Sequence, residues 1–578
     1  MNGPAGPPAA DGIEEGKRLI RVGGGDQGLS LAERLSERLA RLTWGTPLHA
    51  LRLRGRHPLK LIAVIDDAVP GDAARGLALL DRRLAFRGES IGFDEVIRAR
   101  LQQSPAFATH LHSAQWLRDL STVATRAEGV PVAEALMRAW LAAFAERVAE
   151  PAWRADVIGR RILFWCAHAP LILSSSDLVY RSHVLNTLAR QARHLERTAD
   201  KVPMGAPRLA AWAGAVVAQL LIPGGDPRRG AAEAGLARAL SGSIFDDGGV
   251  VSRAPSAQLE AVDLLTLLAG AYAARRLEPP VFLTSAVARM VPALLGLTHG
   301  DRGLGSWQGS APLGEAQVAA VLAATGVRTR PLRQARNWGY QRLTAGATIV
   351  QMDAAPPPVS RLVEGGCAST LAIELSDGPH RIVVNCGGAR GGIAGLPREL
   401  TEGLRTTAAH STLVLGDSNS TAIHPDGTLG RGVAEVELAR QETDNASRLE
   451  ASHDGYCRRF GFSHRRQLIL TGEGRELRGE DTLVPAGKRR GANAVGFAVR
   501  FHLGAGVEAS PTADGQAALL RLPNGVIWQF RCRGAKVSVE DSLWIDGEGR
   551  PIATCQLVAG GEAAAGGAQV AWAFKRAG

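Results

Sequence analysis

Fourteen residues in the C-terminal half combine side chains that can transfer protons with side chains that can hold anions. The segment HDGYCRRFGFSHRR, from His453 to Arg466, contains two His, one Tyr and four Arg. Tyr456 is our candidate proton donor or acceptor. The forked guanidinium groups of Arg459, Arg465 and Arg466 suit a carboxylate or a sulfate. The segment therefore indicates chemistry on an anionic ligand, and the structural alternative is a basic hairpin edge kept soluble by its charges.

Two further side chains stand apart from this segment. His410 enters an alternating apolar run, where a lone imidazole is either a cleft or metal-binding group or a satisfied structural one. Trp307 lies in a Gly-rich stretch, so its ring could stack on a sugar, whereas tryptophans at helical spacing are expected in a core.

Composition bounds the possible functions. The chain has 578 residues, 45% of them hydrophobic and 21% charged, which is typical of a folded protein with two or more domains. Its formal net charge of +11 favours anionic partners such as acidic glycans, nucleic acid or anionic membranes. Nucleic-acid binding ranks last because no recognisable module accompanies the charge. Six Cys without a Cys-x-x-Cys pair predict buried thiols rather than a disulfide framework.

Targeting signals are not visible in the sequence. The first twenty residues carry acidic side chains and lack an apolar core segment, which taken alone favours the cytoplasm. The longest apolar stretch, Ile162 to Leu173, is too short to cross a bilayer, so we expect no transmembrane helix. The Gly- and Pro-rich residues 1–28 are expected to form a flexible tail.

Two patterns divide the rest of the chain. Residues 29–335 show helical periodicity, clearest where Pro131 is expected to start a helix and Leu136, Trp140 and Phe144 recur every four residues. Residues 336–578 alternate in the manner of strands, with hairpin turns at 377–378 and 524–525. We therefore predict an α+β multidomain fold: an incomplete (α/α) toroid followed by an antiparallel β-sandwich.

Several motifs carry a resemblance to a known family. They are HSAQWLRDL from residue 112, DGG from 247, HGDRGLGSWQGS from 299, TAAHSTLVL from 407, and HDGYCRRFGFSHRRQL from 453. In these motifs, over residues 44–558, the chain resembles the bacterial heparinase II/III-like family of polysaccharide lyases. The resemblance implies a cleft between toroid and sandwich and β-elimination at a uronic acid. That reaction neutralises the C6 carboxylate, removes the C5 proton and protonates the leaving oxygen.

Several family positions carry other residues here. Where the lyases have a Tyr-His pair shortly after the DGG, this chain has Ala257 and Gln258. An Asn-His pair that opens a toroid helix corresponds to Pro207 and Arg208, and Arg208 could still hold a carboxylate.

The sandwich differs from the lyases as well. A His-x-His that precedes the first alternating strand in the family corresponds to Cys367 and Ser369. The resemblance places a zinc site at Ser369, Asn385 and His410, of which Ser and Asn are poor zinc donors, so zinc is doubtful. Cys367 and Cys386 could instead bring thiolates to His410.

These comparisons give one candidate site and two functions. The candidate catalytic residues are Tyr456, His410 and Cys367. The candidate substrate-binding residues are Arg208, Gln258, Trp307, His453, Arg459, Arg465 and Arg466. The first function is a lyase that cleaves an acidic, uronate-containing glycan by β-elimination. The second is a catalytically weakened protein whose basic cleft binds such a glycan without cutting it. The resemblance implies the periplasm or cell envelope, with the cytoplasm as the alternative.

Overall fold

The structure is a computed structural model that describes residues 13, 15–21, 44, 46–55, 58–97, 103–358, 366–390, 392–487 and 494–577. Helices predominate in the described chain between residues 47 and 325, and strands predominate from residue 340 onwards. The predicted order of an α-helical toroid and an antiparallel β-sandwich is confirmed. No described helix is both long enough and apolar enough to cross a membrane.

The helical domain consists of antiparallel neighbours joined by short connections. The sixteen α-helices of the described chain, of which the last two lie in the sandwich, are α1 Pro47–Leu53, α2 Ala73–Leu80, α3 Phe93–Ile97, α4 Pro105–Ser113, α5 Trp116–Val123, α6 Arg126–Phe144, α7 Ala155–Ala167, α8 Ala169–Ile172, α9 Leu178–Thr198, α10 Ala206–Leu221, α11 Asp226–Ser243, α12 Pro255–Ala274, α13 Val281–Gly296, α14 Glu315–Thr325, α15 Arg398–Gly403 and α16 Cys457–Phe460.

The start of α6 differs from the prediction. Thr125 caps the helix, its hydroxyl accepting from the backbone N–H of Glu128 while the Glu128 carboxylate accepts from the Thr125 backbone. This reciprocal capping satisfies N–H groups that a helix start leaves unpaired. Pro131 therefore lies inside the helix, more than one turn after its start, and not at the start as expected.

The sandwich is built from two large antiparallel sheets. The nineteen strands of the described chain, of which β2 and β3 form a separate hairpin in the helical domain, are β1 Gly16–Arg21, β2 Arg83–Phe86, β3 Glu89–Gly92, β4 Tyr340–Ala345, β5 Thr348–Asp353, β6 Ile373–Asp377, β7 His380–Val384, β8 Leu413–Leu415, β9 Glu435–Thr443, β10 Ala446–His453, β11 Phe462–Thr471, β12 Glu476–Pro485, β13 Val495–Leu503, β14 Glu508–Pro511, β15 Ala517–Arg521, β16 Ile527–Arg533, β17 Lys536–Ile545, β18 Pro551–Ala563 and β19 Ala568–Arg576.

The order of the strands in each sheet brings distant segments together. One sheet runs β1-β9-β10-β11-β12-β19-β16-β15-β14, and the other runs β17-β18-β13-β7-β6-β5-β4 with β8 also paired to β13. The facing sides of the sheets enclose an apolar core, as in other sandwiches. The expected hairpins form between β6 and β7 and between β15 and β16.

Part of the expected tail belongs to the sandwich. Gly16–Arg21 forms β1, which pairs antiparallel with β9 over six residues at the edge of the nine-stranded sheet. Ile20 is 8% exposed in the sandwich core, so this strand is held by an apolar anchor as well as by backbone hydrogen bonds. The sequence pattern did not reveal it because only Leu19 and Ile20 are apolar in this segment.

Buried polar contacts join the two domains. Arg253, just before α12, forms an ion pair with Asp353 of β5, and its Nε atom donates to the carbonyl oxygen of Trp338 at 2.7 Å. His299 Nε2 lies 2.8 Å from Glu374 Oε2 of β6, and neither side chain is exposed. These two buried pairs connect the toroid to the sandwich. They therefore help to fix the position of one domain relative to the other.

Candidate functional site

A large cleft lies between the helical domain and the sandwich. Its volume is about 1700 Å³, and its lining comes from α2, the β2–β3 hairpin, α4, α5, α7, α10, α12 and α14 on the helical side. The sandwich contributes loop residues 388–390, 392–396 and 547–548. Its position between the domains matches that of the cleft that the family resemblance implies.

A buried arginine between two carboxylates forms part of the helical wall. Arg118 of α5 donates to Asp67 through Nε at 2.8 Å and Nη2 at 2.9 Å, and to Asp263 of α12 through Nη1 at 2.6 Å and Nη2 at 2.9 Å. His168 Nε2 lies 3.2 Å from Asp67 Oδ2, the oxygen that also accepts from Arg118 Nε. Burial raises the pKa of Asp263 despite the opposing effect of Arg118. Both oxygens of Asp263 accept from Arg118, so this carboxylate is held in place.

A second group of paired charges lies on α7 and α12. Asp156 accepts from Arg154 at 2.6 Å and from Arg160 at 2.7 Å, and Arg160 also donates to Glu260 at 2.5 Å. Burial alone would raise the pKa of Asp156, but Arg160 and Arg154 lower it below its ordinary value. These groups therefore remain charged and satisfy one another.

A third group lies where α2 meets α5. Asp119 accepts from Arg75 Nε at 2.9 Å and from the backbone N–H of Asp72 at 2.7 Å. His110 of α4 points one ring nitrogen toward Asp119 at 3.6 Å and stacks on Phe86, with ring centroids 4.4 Å apart and planes inclined by 9°. Burial lowers the pKa of His110 to about 4, so its imidazole is neutral at pH 7.

The cleft is balanced in charge, and the expectation of a basic cleft was wrong. Among the described lining residues, seven Arg and Lys side chains meet eight Asp and Glu side chains. The net positive charge of the chain is therefore carried outside the cleft. A strongly polyanionic chain would meet as many carboxylates as cations here.

Two of the helical positions at which this chain differs from the lyases place non-ionisable side chains in the cleft. Pro207 and Ala257 both line it. The residue after Pro207 is engaged elsewhere: Arg208 donates to the carbonyl oxygen of Val202 through Nε at 3.0 Å and Nη2 at 2.6 Å, and to that of Asp200 through Nη2 at 2.7 Å. Arg208, expected to bind substrate, is instead engaged with the backbone before α10.

Gln258, the second residue expected to bind substrate on the helical side, is also a structural group. Its Oε1 accepts from the backbone N–H of Val250 at 2.7 Å, and its Nε2 donates to the carbonyls of Gly248 at 2.8 Å and Met290 at 3.1 Å. It is fully buried and fixes the loop that carries the DGG motif.

The structure places Tyr456 inside the sandwich and not in the cleft. Its side chain is 1% exposed, and its hydroxyl donates to the carbonyl oxygen of Leu413 at 2.9 Å. Burial raises the pKa of the phenol well above its usual range. A phenol in this position has no contact with a ligand in the cleft, which corrects the expectation of a catalytic role.

His453 and Arg466 belong to a buried network on the nine-stranded sheet. His453 Nε2 lies 3.3 Å from His464 Nδ1, and His464 Nε2 lies 2.7 Å from Asp481. Arg466 donates to both oxygens of Asp481 at 2.7 and 2.9 Å and to the carbonyl oxygen of Leu371 at 2.9 Å. His453 and Arg466 are buried and engaged with protein groups, so this network stabilises the sandwich.

The other two arginines of the segment lie outside the cleft. Arg459 is exposed, and its guanidinium carbon lies 5.1 Å from the Phe460 ring centre. Arg465 is half-buried on β11. Neither lines the interdomain cleft. The expected convergence of Tyr456 with the arginines on one ligand does not occur.

The candidate metal ligands do not form a fitting zinc site. Ser369 Oγ donates to Asp353 at 2.7 Å and accepts from Gln308, while Asn385 donates to Glu374 at 3.0 Å. His410 Nδ1 lies 2.7 Å from the carbonyl oxygen of Thr406. Within the described ranges, no group of three or more His, Cys, Asp or Glu is arranged to hold a metal. We therefore derive no step through zinc.

The buried thiols do not supply a replacement. Burial raises the pKa of Cys367 to about 12 and that of Cys386 to about 12, so both remain neutral thiols at pH 7. The backbone N–H of Cys367 donates to Gln308 Oε1 at 3.0 Å. His410 is buried, and burial lowers its pKa below the ordinary value. Neither Cys367 nor His410 is among the residues that line the cleft.

Trp307 is a core residue. Its ring is fully buried, and its Nε1 donates to Gln351 Oε1 at 3.2 Å. It cannot stack on a sugar in this arrangement. The next residue, Gln308, does line the cleft, where its amide connects Asp353, Ser369 and Cys367.

The sequence reasoning missed the groups that do line the cleft. Arg118 and Asp119 lie within HSAQWLRDL, a motif that was noticed but assigned no role. The β2–β3 hairpin was taken as part of a helical region, although Arg87-Gly88 between short apolar runs was an available turn signal.

Comparison with known proteins agrees with this architecture. A family model described as "Heparinase II/III-like, C-terminal" matches residues 327–573. FtsZ-localized protein C from Caulobacter vibrioides is 31% identical over 538 residues, covering 87% of this chain and 88% of the relative. The crystal structure of heparinase III superposes with a TM-score of 0.69 at 13% identity, covering 95% of this chain and 92% of that one.

A heparan sulfate lyase supports the same fold. A mutant of heparan sulfate lyase HepC from Pedobacter heparinus has a TM-score of 0.59 at 14% identity, covering 95% of this chain and 92% of that one. The chain belongs to the heparinase II/III-like family, whose fold is that of polysaccharide lyases. The relative with the higher sequence identity, however, carries a name that refers to localisation with FtsZ and not to a lyase activity.

Proposed function

We propose that this protein binds a glycan in the interdomain cleft without cleaving it. One observation carries the proposal: Pro207 and Ala257 line the cleft where the lyase resemblance calls for proton-transfer and carboxylate-neutralising side chains. Neither side chain can accept a proton or neutralise a carboxylate. The described lining contains no Tyr and one His, His110.

The remaining ionisable groups in the cleft are poorly suited to elimination. A general base works best when its pKa lies near the working pH and when its lone pair is free. The pKa of His110 is lowered to about 4 by burial. Asp156 and Asp263 both accept hydrogen bonds from arginines. Removal of a C5 proton by either aspartate would first require the loss of an ion pair, and His110, although its ring nitrogens accept no hydrogen bond, is a weak base because burial lowers its pKa.

The same lining is suitable for binding a sugar. Sugar hydroxyls can donate to carboxylates and accept from guanidinium groups that are already fixed in position by their mutual pairing. Gln308, Ser256 and Ser310 add neutral polar groups, and Phe86 adds an aromatic surface. Because the cleft is balanced in charge, we expect a glycan with few acidic groups in place of a heavily sulfated one.

Elimination of a uronate-containing glycan is the second candidate. The lyase fold supports it. With Tyr456 or His410 as the proton-transfer group, it requires a rearrangement that exposes a side chain now 1% exposed. We rank it below binding for this reason.

The name of the relative also suggests where in the cell this protein acts. FtsZ-localized protein C is 31% identical over most of both chains, and we propose that this protein shares the localisation that its relative's name describes. A fluorescent fusion expressed from the native locus together with labelled FtsZ tests this. Coincident signals support the proposal, and a uniform distribution contradicts it. A reporter active on only one side of the membrane, fused to the same chain, distinguishes the cytoplasm from the cell envelope.

Retention on immobilised polysaccharides tests the binding. We expect the protein to be retained by at least one member of a panel containing peptidoglycan, hyaluronan, chondroitin and heparosan. Ala257→Trp places a bulky ring in the cleft and should abolish retention. Ala273→Trp, at an exposed position near the other end of α12, is the matched control and should be retained like the wild type. Equal retention of both variants would place binding outside the cleft.

A further inference from the structure

A hairpin from the helical domain bridges the cleft to the sandwich. The turn Arg87-Gly88 joins β2 to β3, with φ angles of 46° and 80° at the two positions. At its tip, the backbone N–H of Ala394 donates to the carbonyl oxygen of Arg87 at 3.1 Å. Arg87 Nη1 donates to the carbonyl oxygen of Arg390 at 2.9 Å. All of these residues line the cleft, so the bridge limits how far a bound chain can extend.

Arg87 differs from the other arginines of the helical wall. Arg75, Arg118, Arg154 and Arg160 each pair with a carboxylate at 2.9 Å or less. In the described part of the chain, no carboxylate lies within 4.0 Å of the Arg87 guanidinium. Burial, followed by the charge of Arg75, lowers the pKa of Arg87. A half-buried cation of this kind gains from an anion supplied by a ligand.

A second unsatisfied group adjoins it. His110 is 2% exposed and lines the cleft, yet neither of its ring nitrogens has a hydrogen-bond partner among the described residues. It shares the Phe86 ring with Arg87, whose guanidinium carbon lies 5.3 Å from the ring centre. Buried polar groups in folded proteins nearly always have a partner, so an imidazole without a hydrogen bond, beside an arginine without a carboxylate partner, indicates a missing ligand.

We propose that the bridge forms a subsite for the terminal uronate of an oligosaccharide. This inference rests on the proposed glycan-binding function and specifies which part of the glycan is held. The carboxylate of the last sugar accepts from Arg87, and a hydroxyl of the same sugar pairs with the neutral imidazole of His110 once a side-chain movement exposes its ring nitrogens, which are buried in this structure. Because the bridge crosses the cleft at this point, the sugar held there is a chain end and not an interior unit.

Titration calorimetry of the full chain with tetrasaccharides tests the subsite. The probes are hyaluronan, chondroitin and heparosan tetrasaccharides with a terminal glucuronate, each beside its carboxyl-reduced, neutral analogue. Arg87→Gln removes the cation, and Arg83→Gln removes an exposed cation from the same hairpin outside the cleft. The melting temperatures of both variants are measured first to establish that the hairpin is intact.

The outcomes separate the subsite from the function on which it rests. We expect Arg87→Gln to lower the affinity for the best acidic tetrasaccharide about tenfold or more, with no change for its neutral analogue. Arg83→Gln should bind like the wild type. Wild-type binding that Arg87→Gln leaves unchanged, or weakens equally for acidic and neutral probes, overturns the subsite and leaves the proposed function standing. Absence of binding to any probe by the wild type, together with no retention on the polysaccharide panel, overturns both.

Discussion

Arg253 of the helical domain and Asp353 of the sandwich form an ion pair in which both side chains are almost completely buried. Asp353 also accepts from Ser369 at 2.7 Å and from Gln308 at 3.1 Å, and Gln308 lines the cleft. The ion pair that joins the domains is therefore connected through the Gln308 side chain to the lining of the cleft. The relative position of the two walls depends on it.

Arg253→Met is expected to destabilise the protein strongly. It leaves the Asp353 carboxylate buried without its cation, which costs about 3–5 kcal/mol for a buried pair. Urea denaturation followed by circular dichroism measures the loss. Arg398→Met is the control because it removes an exposed pair with Glu402, and the loss of such a solvent-screened pair should change the stability little. Similar losses in both variants would show that the buried pair does not hold the domains together.

Close helix packing makes a second prediction. A Cβ atom on Gly159 of α7 would lie 2.1 Å from the carbonyl oxygen of Ala210 on α10. Gly159→Ala should therefore destabilise the toroid by about 1–3 kcal/mol, as expected for overpacking. Gly230→Ala, at an exposed position in α11 where a Cβ meets nothing within 4 Å, should instead stabilise by about 0.5–1 kcal/mol. Thermal unfolding of the two variants distinguishes them, and a neutral Gly159→Ala would refute the tight crossing.

Acid should destabilise the fold through its buried imidazoles. Burial lowers the pKa of His112 to about 3 and that of His502 to about 3, from an ordinary 6.5. Below pH 6.5 the unfolded chain binds protons that the folded chain does not, so stability falls as the pH falls from 6.5 toward 3. Each such group contributes a loss of about 2 kcal/mol between pH 7 and pH 5.

Removal of one imidazole tests this mechanism. In His112→Gln the amide oxygen can still accept from Trp140 Nε1, which donates to His112 Nδ1 at 3.0 Å. The unfolding free energy of this variant should fall less between pH 7 and pH 5 than that of the wild type, by about 2 kcal/mol. Parallel pH profiles would mean that folding does not lower the pKa of His112.

The absence of a fitting zinc site gives a fourth prediction. Ser369 and Asn385 are engaged with Asp353 and Glu374, so a chelator has no structural ion to remove. Dialysis against EDTA should leave the thermal midpoint unchanged, and zinc added afterwards should not raise it. A fall of several degrees that zinc reverses would show that these positions do hold a metal.

The sequence predicted the architecture because periodicity and turn signals act locally. Leu136, Trp140 and Phe144 mark one face of α6, and the Asp377-Gly378 turn closes a hairpin. The strand alternation also indicated that Arg466 is buried. It lies on the same face of β11 as Leu468 and Leu470, and all three side chains are buried. Its charge was interpreted as a sign of exposure, whereas its partner Asp481 lies on the next strand.

The cleft could not be predicted in the same way because its lining comes from many separate segments. Arg118 meets Asp67 and Asp263 across sequence separations of 51 and 145 residues. Nothing local distinguishes such arginines from solvent-exposed ones. The positions at which this chain differs from the lyases were more informative. Pro207 and Ala257 both line the cleft, and neither side chain can act as an acid or a base.

The central claim is that the cleft binds a glycan and does not cleave it. The most direct measurement incubates the protein with the uronate-containing polysaccharides of the panel, hyaluronan, chondroitin and heparosan, and follows the ultraviolet absorbance of unsaturated uronate, with heparinase III on its own substrate as the positive control. We predict retention with no rise in absorbance above that of heat-denatured protein. A steady rise that depends on folded protein and disappears in Ala257→Trp would contradict the account and establish a lyase.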